Sequence, residues 1–312
     1  MAYRIGIDLG GTNVRAGVVD DDLKVIGSDT TKTRAEQPLD AVLDRIVKVT
    51  DKAIEDAKVK RKEIEGAGIG APGAIDIERG IVLQTGNMGW RDVPLADLLN
   101  KRLDLPVKVD NDVNVGALGE HRAGSGKGFD DMMAVFIGTG IGAGLIFDGK
   151  LFHGRHGTAG EIGQTVVAAG GPLGRRTLED LASRTAIAET IITLIRSNHP
   201  SVVPELVDGD LSRVRSKVIT AAYMKGDPMV TRVVHDAARI IGIAAANAAS
   251  LMSLPCIVFG GGFAEAMGEA LIPLLRESFD DAVFPDALRA CELRVSKLGD
   301  DAGVIGAALL AD

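Results

Sequence analysis

Asp8, Asp112, Glu161 and Glu179 stand where chemistry can be done, each beside residues that handle anions or hydroxyl groups. Asp8 follows the apolar run Tyr3-Arg4-Ile5-Gly6-Ile7 and precedes Gly10-Gly11-Thr12-Asn13. Glycines there let successive backbone N–H groups approach an anion, and Thr12 and Asn13 add donors. A carboxylate beside a bound phosphate suits Mg²⁺ held through water. The plainer alternative is a tight hairpin whose glycines only supply positive φ angles. Asn111-Asp112 falls at the C-terminal end of the strand Val107 to Val109, where α/β folds place ligands. Asp112 is either the general base for a hydroxyl nucleophile, with Asn111 orienting the same ligand, or a simple cap of the next helix. Glu161 and Gln164 form a polar cluster between glycines, and Glu179 begins a helix, where a carboxylate also suits the dipole. His153 and His156 have the spacing H-x-x-H without a third ligand near in sequence, which disfavours a metal pair.

The elements that position these residues repeat. Gly11-Thr12-Asn13-Val14-Arg15-Ala16-Gly17-Val18-Val19 matches Gly138-Thr139-Gly140-Ile141-Gly142-Ala143-Gly144-Leu145-Ile146 in register. Each copy follows an apolar strand and leads into another, which predicts two related halves facing one nucleotide. The second copy is not a dinucleotide fingerprint, because Leu145-Ile146-Phe147 continues as strand where that motif needs a helix. Gly124-Ser125-Gly126-Lys127-Gly128 lacks the Ser or Thr of a Walker A loop and reads as a turn. Gly260-Gly261-Gly262 ends the strand Cys256 to Phe259 before a helix from about Phe263, a close-approach site suited to a nucleoside.

Periodicity predicts strands at Val14 to Val19, Leu23 to Ile26, Gly66 to Gly70, Ile81 to Gln84 and Leu293 to Ser296. Helices are expected over Pro38 to Lys58, Pro94 to Leu103, Leu178 to Arg196, Leu211 to Met224, Pro228 to Met252 and Asp301 to Leu310. The alternation defines an α/β chain of 312 residues, long enough for two lobes. We expect lobes at 1–115 and 116–300, with the helix at 301–312 packing back on the first.

Composition is that of an ordinary globular protein, with 46% hydrophobic and 25% charged residues. A net charge of −8 without a basic run argues against nucleic acid, and local groups must then hold any polyanionic ligand. Cys256 and Cys291 show no metal spacing or disulfide framework, as expected in a reducing cytoplasm. No signal-like stretch precedes Asp8, and the apolar region Ile240 to Phe259 is broken by Asn247, Ser250, Ser253 and Pro255, so no membrane span is expected.

Taken in order, IGIDLGGTN, GIGAPGAID, NMGWRDVPL, VDNDVN, ALGE, FIGTGIGAGLI, GTAGEIG, TLEDLAS and FGGG resemble the ROK family of sugar kinases, most closely its glucokinase branch. The resemblance implies a two-lobed actin-like, ribonuclease H-like ATPase fold with duplicated phosphate-binding hairpins, holding sugar and ATP in the cleft. By position, Asp8, Gly10, Gly11, Thr12 and Asn13 correspond to the first phosphate loop, with Asp8 near Mg²⁺, and Gly138, Thr139 and Gly140 to the second. Gly260, Gly261 and Gly262 match the adenosine-side loop; Asn111, Glu161 and Glu179 match sugar ligands; Asp112 matches the base; Gly73 and Asn87 fall in segments lining the sugar pocket. One departure stands out. Gln164 occupies a position where the family's zinc motif has His, and Gly170 to Thr177 lacks the cysteines that follow it. Neutral Gln is a poor zinc ligand, so no zinc is expected, while Gln164 keeps an amide for a sugar hydroxyl.

The resulting expectation is ATP- and Mg²⁺-dependent phosphorylation of a hexose at O6, glucose first, by a cytoplasmic homodimer or homotetramer. Kinases for N-acetylglucosamine, N-acetylmannosamine, mannose or fructose are alternatives, as is a non-catalytic sugar-sensing relative. The sensing repressors carry an N-terminal DNA-binding segment, for which a first strand at Tyr3 leaves no room. An actin-like filament protein is a further alternative, disfavoured by the sugar-type segments.

Overall fold

The computed structural model describes residues 2–86, 88–172 and 174–311. Ile5, Ile7 and Leu9 share one face of their strand and are fully buried, as are Val14, Ala16 and Val18. The two apolar faces join β1 (Tyr3–Leu9) and β2 (Asn13–Val19) as an antiparallel hairpin, with Asp8 opposite Arg15. β3 (Val25–Lys32) pairs antiparallel with β2 and outruns the expected strand at 23–26. Its polar second half is held by ladder hydrogen bonds at the sheet edge, which hydrophobic periodicity does not register. α1 (Leu39–Ala57) lays Val42, Leu43, Ile46 and Ala53 into the core. β4 (Ile64–Ala71) and β8 (Val107–Asn111) add in parallel on the other side of β1, giving the order β3-β2-β1-β4-β8. Between them lie a small sheet of β5 (Ala74–Asp76), β6 (Ile81–Gln84) and β7 (Arg91–Val93), and the helix α2 (Leu95–Leu103). α3 (Asp112–Arg122) follows β8.

A second five-stranded sheet has the same order. It comprises β9 (Met132–Ile137), β10 (Ile141–Phe147), β11 (Lys150–Leu151), β12 (Cys256–Gly260) and β13 (Glu292–Val295), arranged β11-β10-β9-β12-β13. β12 is parallel to both β9 and β13, as β4 is to β1 and β8. The repeat at the two Gly-Thr tips therefore extends to whole-sheet topology.

The expected helix over 178–196 is two, α4 (Leu178–Ala182) and α5 (Arg184–Arg196). Ser183 takes extended backbone between them and accepts the Ala186 N–H at 3.2 Å, so its hydroxyl caps a new helix instead of continuing the old one. α6 (Val203–Leu206) precedes α7 (Ser216–Met224), which starts five residues after Leu211 because Leu211–Arg213 forms only a 3₁₀ turn. α8 (Pro228–Met252) has the predicted bounds and is N-capped by Asp227. α9 (Gly261–Met267) and α10 (Leu271–Ala282) follow β12, and α11 (Asp301–Ala308) is followed by a 3₁₀ turn over Leu309–Ala311.

The chain divides into two compact units, one of residues 2–130, 144–159 and 300–311, the other of residues 131–143 and 160–299. In the first, α11 packs on β1, β4 and α3. The approach requires glycine: a Cβ on Gly306 would lie 1.6 Å from the Val115 carbonyl oxygen, and one on Gly303 would lie 2.8 Å from the Asp8 carboxyl. No described helix is long and apolar enough to cross a membrane.

Candidate active site

The first hairpin closes with the Gly10 N–H donating to the Asn13 carbonyl at 3.0 Å. Buried Thr33 braces it from beneath, its hydroxyl donating to the Gly10 carbonyl at 2.6 Å and its N–H to the Thr12 carbonyl at 2.9 Å. Asp8, Gly10, Gly11, Thr12, Asn13, Arg15, Thr30 and Asp300 line a cavity of about 310 Å³ here. Burial pushes the Asp8 carboxyl up to about 7, with the Asp112 and Asp300 carboxylates adding to the rise and Arg15 opposing it. Arg15 is drawn off by the neighbouring acids, its Nη2 donating to Asp301 Oδ1 at 2.5 Å and Nη1 lying 4.0 Å from Asp300 Oδ2. The tip thus gathers negative charge beside backbone donors. Among the described residues no three acidic, His or Cys side chains converge as a direct metal cage. A carboxylate beside backbone donors is what Mg²⁺ takes, since that ion keeps most of its waters and binds one or two carboxylates plus phosphate oxygens.

Asn111 and Asp112 lie at the junction of β8 and α3, and the structure separates their roles. The cap is Asn111: its Oδ1 accepts from the N–H groups of Val113 at 2.9 Å and Asn114 at 3.3 Å. Its Nδ2 donates to the Gly73 carbonyl at 3.1 Å, which brings Gly73 and Asn111 together. Asp112 is the first helical residue, so the capping alternative belongs to its neighbour and leaves Asp112 close enough to raise Asp8. Gly73 takes φ +98, and a Cβ there would lie 2.1 Å from the Gln84 carbonyl oxygen. Asn87, expected in the same sugar-lining segment, lies outside the described residues.

Sequence reasoning missed Asp110. This buried carboxylate accepts from the Asn111 N–H at 2.6 Å, Asn114 Nδ2 at 2.9 Å and His153 Nε2 at 2.7 Å, pinning the Asn-Asp turn. Its position one residue before Asn111 is the only local signal. The same contact accounts for His153, which serves a carboxylate while His156 is exposed.

In the second unit the tip Gly138-Thr139-Gly140 closes with the Gly138 N–H donating to the Gly140 carbonyl at 2.9 Å. Glu179, in the first turn of α4, accepts the Ile141 N–H on Oε2 at 2.8 Å and the Gln164 amide on Oε1 at 3.2 Å. A Cβ on Gly140 would lie 2.2 Å from Glu179 Oε2. Glu179 and Gln164 are therefore joined to each other and to the hairpin. Glu161 is exposed beside them, ahead of the 3₁₀ turn Ile162–Gln164. The segment from Thr165 to Leu178 is tied at its base by the Leu178 N–H to the Thr165 carbonyl at 3.0 Å and by pairing of Val166 with Thr177. Arg176 Nε donates across it to the Gly171 carbonyl at 2.8 Å, and Thr177 and Asp180 form a capping box.

Gly260 ends β12, and Gly261 and Gly262 already belong to α9, two residues before the expected helix start. Gly261 has φ +80, and a Cβ on it would lie 2.8–3.0 Å from the Ile137 backbone. The triple glycine is therefore pressed against the end of β9, directly before Gly138. Cys256 and Cys291 are free and buried, their thiols pushed up to about 12 and about 11 by burial, which leaves them inert.

Residues 4–312 match the ROK family, and the chain belongs to it. It is 33% identical over 310 residues to the glucokinase of Halalkalibacterium halodurans, covering 97% of this chain and 93% of that one. It is 32% identical over 310 residues to the xylose repressor of Caldicellulosiruptor bescii, covering 97% of this chain and 76% of that one. The crystal structure of a ROK family glucokinase from Streptomyces griseus, in complex with glucose and AMPPNP, superimposes with a TM-score of 0.86 at 33% identity and 99% coverage of each chain. The fold is accordingly the actin-like, ribonuclease H-like ATPase fold of that family, seen here in its paired five-stranded sheets.

Proposed function

We propose that this protein is an ATP-dependent sugar kinase that phosphorylates glucose at the 6-hydroxyl. The observation that carries the proposal is the nearness of Asp112 to Asp8 at a braced glycine hairpin, within a ROK chain that aligns end to end with glucokinases. The Asp112 carboxylate accepts the O6 proton as O6 forms its bond to the γ-phosphorus. The bond from that phosphorus to the bridging oxygen breaks, and ADP leaves with the electron pair. Mg²⁺, when bound beside Asp8, supplies charge neutralisation to the β- and γ-phosphates. The N–H groups of Gly11 to Asn13 orient phosphate oxygens, and Asn111, locked as a cap, presents its amide edge at the same turn. Glu161, Gln164 and Glu179 are the proposed sugar-hydroxyl partners in the second unit. Acid groups paired with amides suit several adjacent hydroxyls, since each carboxylate accepts and each amide does both.

ADP formation with Mg-ATP, measured across glucose, mannose, fructose, N-acetylglucosamine and N-acetylmannosamine, tests the reading. Glucose is expected to turn over fastest. Asp112→Asn should lower kcat by about 10²–10⁴ while glucose binding persists. Near-normal turnover of Asp112→Asn would overturn the base assignment, and no turnover of any sugar by folded wild-type protein would overturn the kinase assignment.

A further inference from the structure

The second hairpin has no acidic residue within Gly138-Thr139-Gly140, and beside the Glu179 contact to Ile141 it meets a cation. Arg184, the first residue of α5, reaches back to it: Nη2 donates to Thr139 Oγ1 at 2.7 Å and the backbone N–H to the Gly138 carbonyl at 3.1 Å. Thr185 adds its hydroxyl to the Thr139 carbonyl at 2.8 Å. Arg215, immediately before α7, is held by Nη1 donating to the Ser212 and Val214 carbonyls at 2.9 Å each. Burial, and then the charge of Arg215, depress the Arg184 guanidinium, so the two cations feel one another. Neither pairs with a carboxylate among the described residues. The next residue, Ser216, borders the glycine turn, where a Cβ on Gly262 would lie 3.7 Å from its hydroxyl. One unit thus holds Arg184 on the phosphate-type hairpin at Thr139, and Arg215 one residue before the Ser216 that borders the nucleoside-type turn at Gly262.

Two like charges held together without a counter-ion repel, and a bridging polyanion turns that cost into binding. We propose that Arg184 and Arg215 grip the phosphate chain of the donor nucleotide along the stretch between Thr139 and Gly262. The proposal rests on the kinase reading above. Thr139 uses one N–H of the Arg184 fork and fixes its plane, leaving other donors for phosphate oxygens. Arg215 is exposed and closes the chain from the nucleoside side.

The test is calorimetric titration of ATP, ADP and adenosine into wild type, Arg184→Gln, Arg184→Lys and Arg215→Gln, with steady-state KM values for ATP and glucose. Arg184→Gln should weaken ATP about tenfold or more, and Arg215→Gln about three- to tenfold, as expected for lost charge-assisted hydrogen bonds. Adenosine affinity and the glucose KM should stay within about twofold, and Arg184→Lys should recover part of the ATP affinity. ATP affinity unchanged in both Gln variants would overturn the assignment. So would equal losses for ATP and adenosine, which would make Arg184 a scaffold for the loop. Wild-type protein that binds no ATP would instead overturn the kinase reading itself, which separates the two failures.

Discussion

The two Gly-Thr hairpins share a sheet topology and a tip motif but meet different neighbours, acids together with Arg15 at the first, an acid (Glu179) and a cation (Arg184) at the second. The first ends β1 with Asp8 and gathers Asp112, Asp300 and Asp301 around it, with Arg15 bound by the last two. The second ends β9 with Val135, Phe136 and Ile137 and gathers Arg184 beside Thr139. Its tip is one residue shorter, closing from Gly138 to Gly140, whereas the first closes from Gly10 to Asn13. The repeated topology thus gives two sets of backbone donors, and the residues brought against them differ. An acidic cluster suits a hydrated divalent cation; a tip with an arginine donor beside it suits phosphate oxygens directly.

The sharpest way to break this comparison is Asp8→Asn. On the proposed reading, activity with Mg-ATP should fall by roughly 10²-fold or more, since the carboxylate beside the metal is lost. Stability should move the other way. With a folded-state value of about 7 against an ordinary 3.8, Asp8 holds a proton in the folded chain that the unfolded chain has released, so wild-type stability falls as pH rises across that window. Asp8→Asn escapes that fall. Its melting temperature should exceed wild type by roughly several degrees at pH 8 and match it near pH 4, and a variant no more stable at pH 8 would refute the acidic-cluster account.

Glu179→Ala probes the second tip, where it leaves the Ile141 N–H without its acceptor. A loss of roughly 1–3 kcal/mol is expected, seen as a ten- to hundredfold drop in kcat/KM for glucose together with a weaker ATP KM. A change confined to the glucose KM would uncouple Glu179 from the hairpin. The smallest effect is expected from His153→Gln, which keeps a donor toward buried Asp110: kcat lower by about two- to fivefold with KM unchanged. His153→Phe removes the donor and should lower kcat further, and equal kcat in both variants would show that the Asp110 contact does not position Asp112.

Much of this was readable in the chain. The buried alternation of Ile5, Ile7 and Leu9 and of Val14, Ala16 and Val18 made the first hairpin plain, and α8 was legible to both ends because Asp227-Pro228 is a strong start signal. The short strands β5 and β7 were not, since three residues carry no period. Nor was the break at Ser183, which depends on its hydroxyl choosing the Ala186 N–H over an uninterrupted helix.

Within the site the same division holds. Asp8, Asn111, Asp112 and the glycine tips are local motifs, identifiable because turn and strand-end chemistry is written in adjacent residues. Their partners are not local: His153 lies 43 positions from Asp110, Arg184 45 from Thr139, and Asp301 286 from Arg15. Sequence alone determined the alternating α/β pattern, the repeated hairpins and the ROK character of the chain, because backbone periodicity and glycine placement act over a few residues. Tertiary structure alone decided that Asn111 and not Asp112 is the cap, that Gly303 of α11 is packed against the Asp8 carboxyl, and that Arg184 and Glu179 both meet the second tip. Those outcomes come from burial and charge between segments far apart in the chain, and no local propensity encodes them.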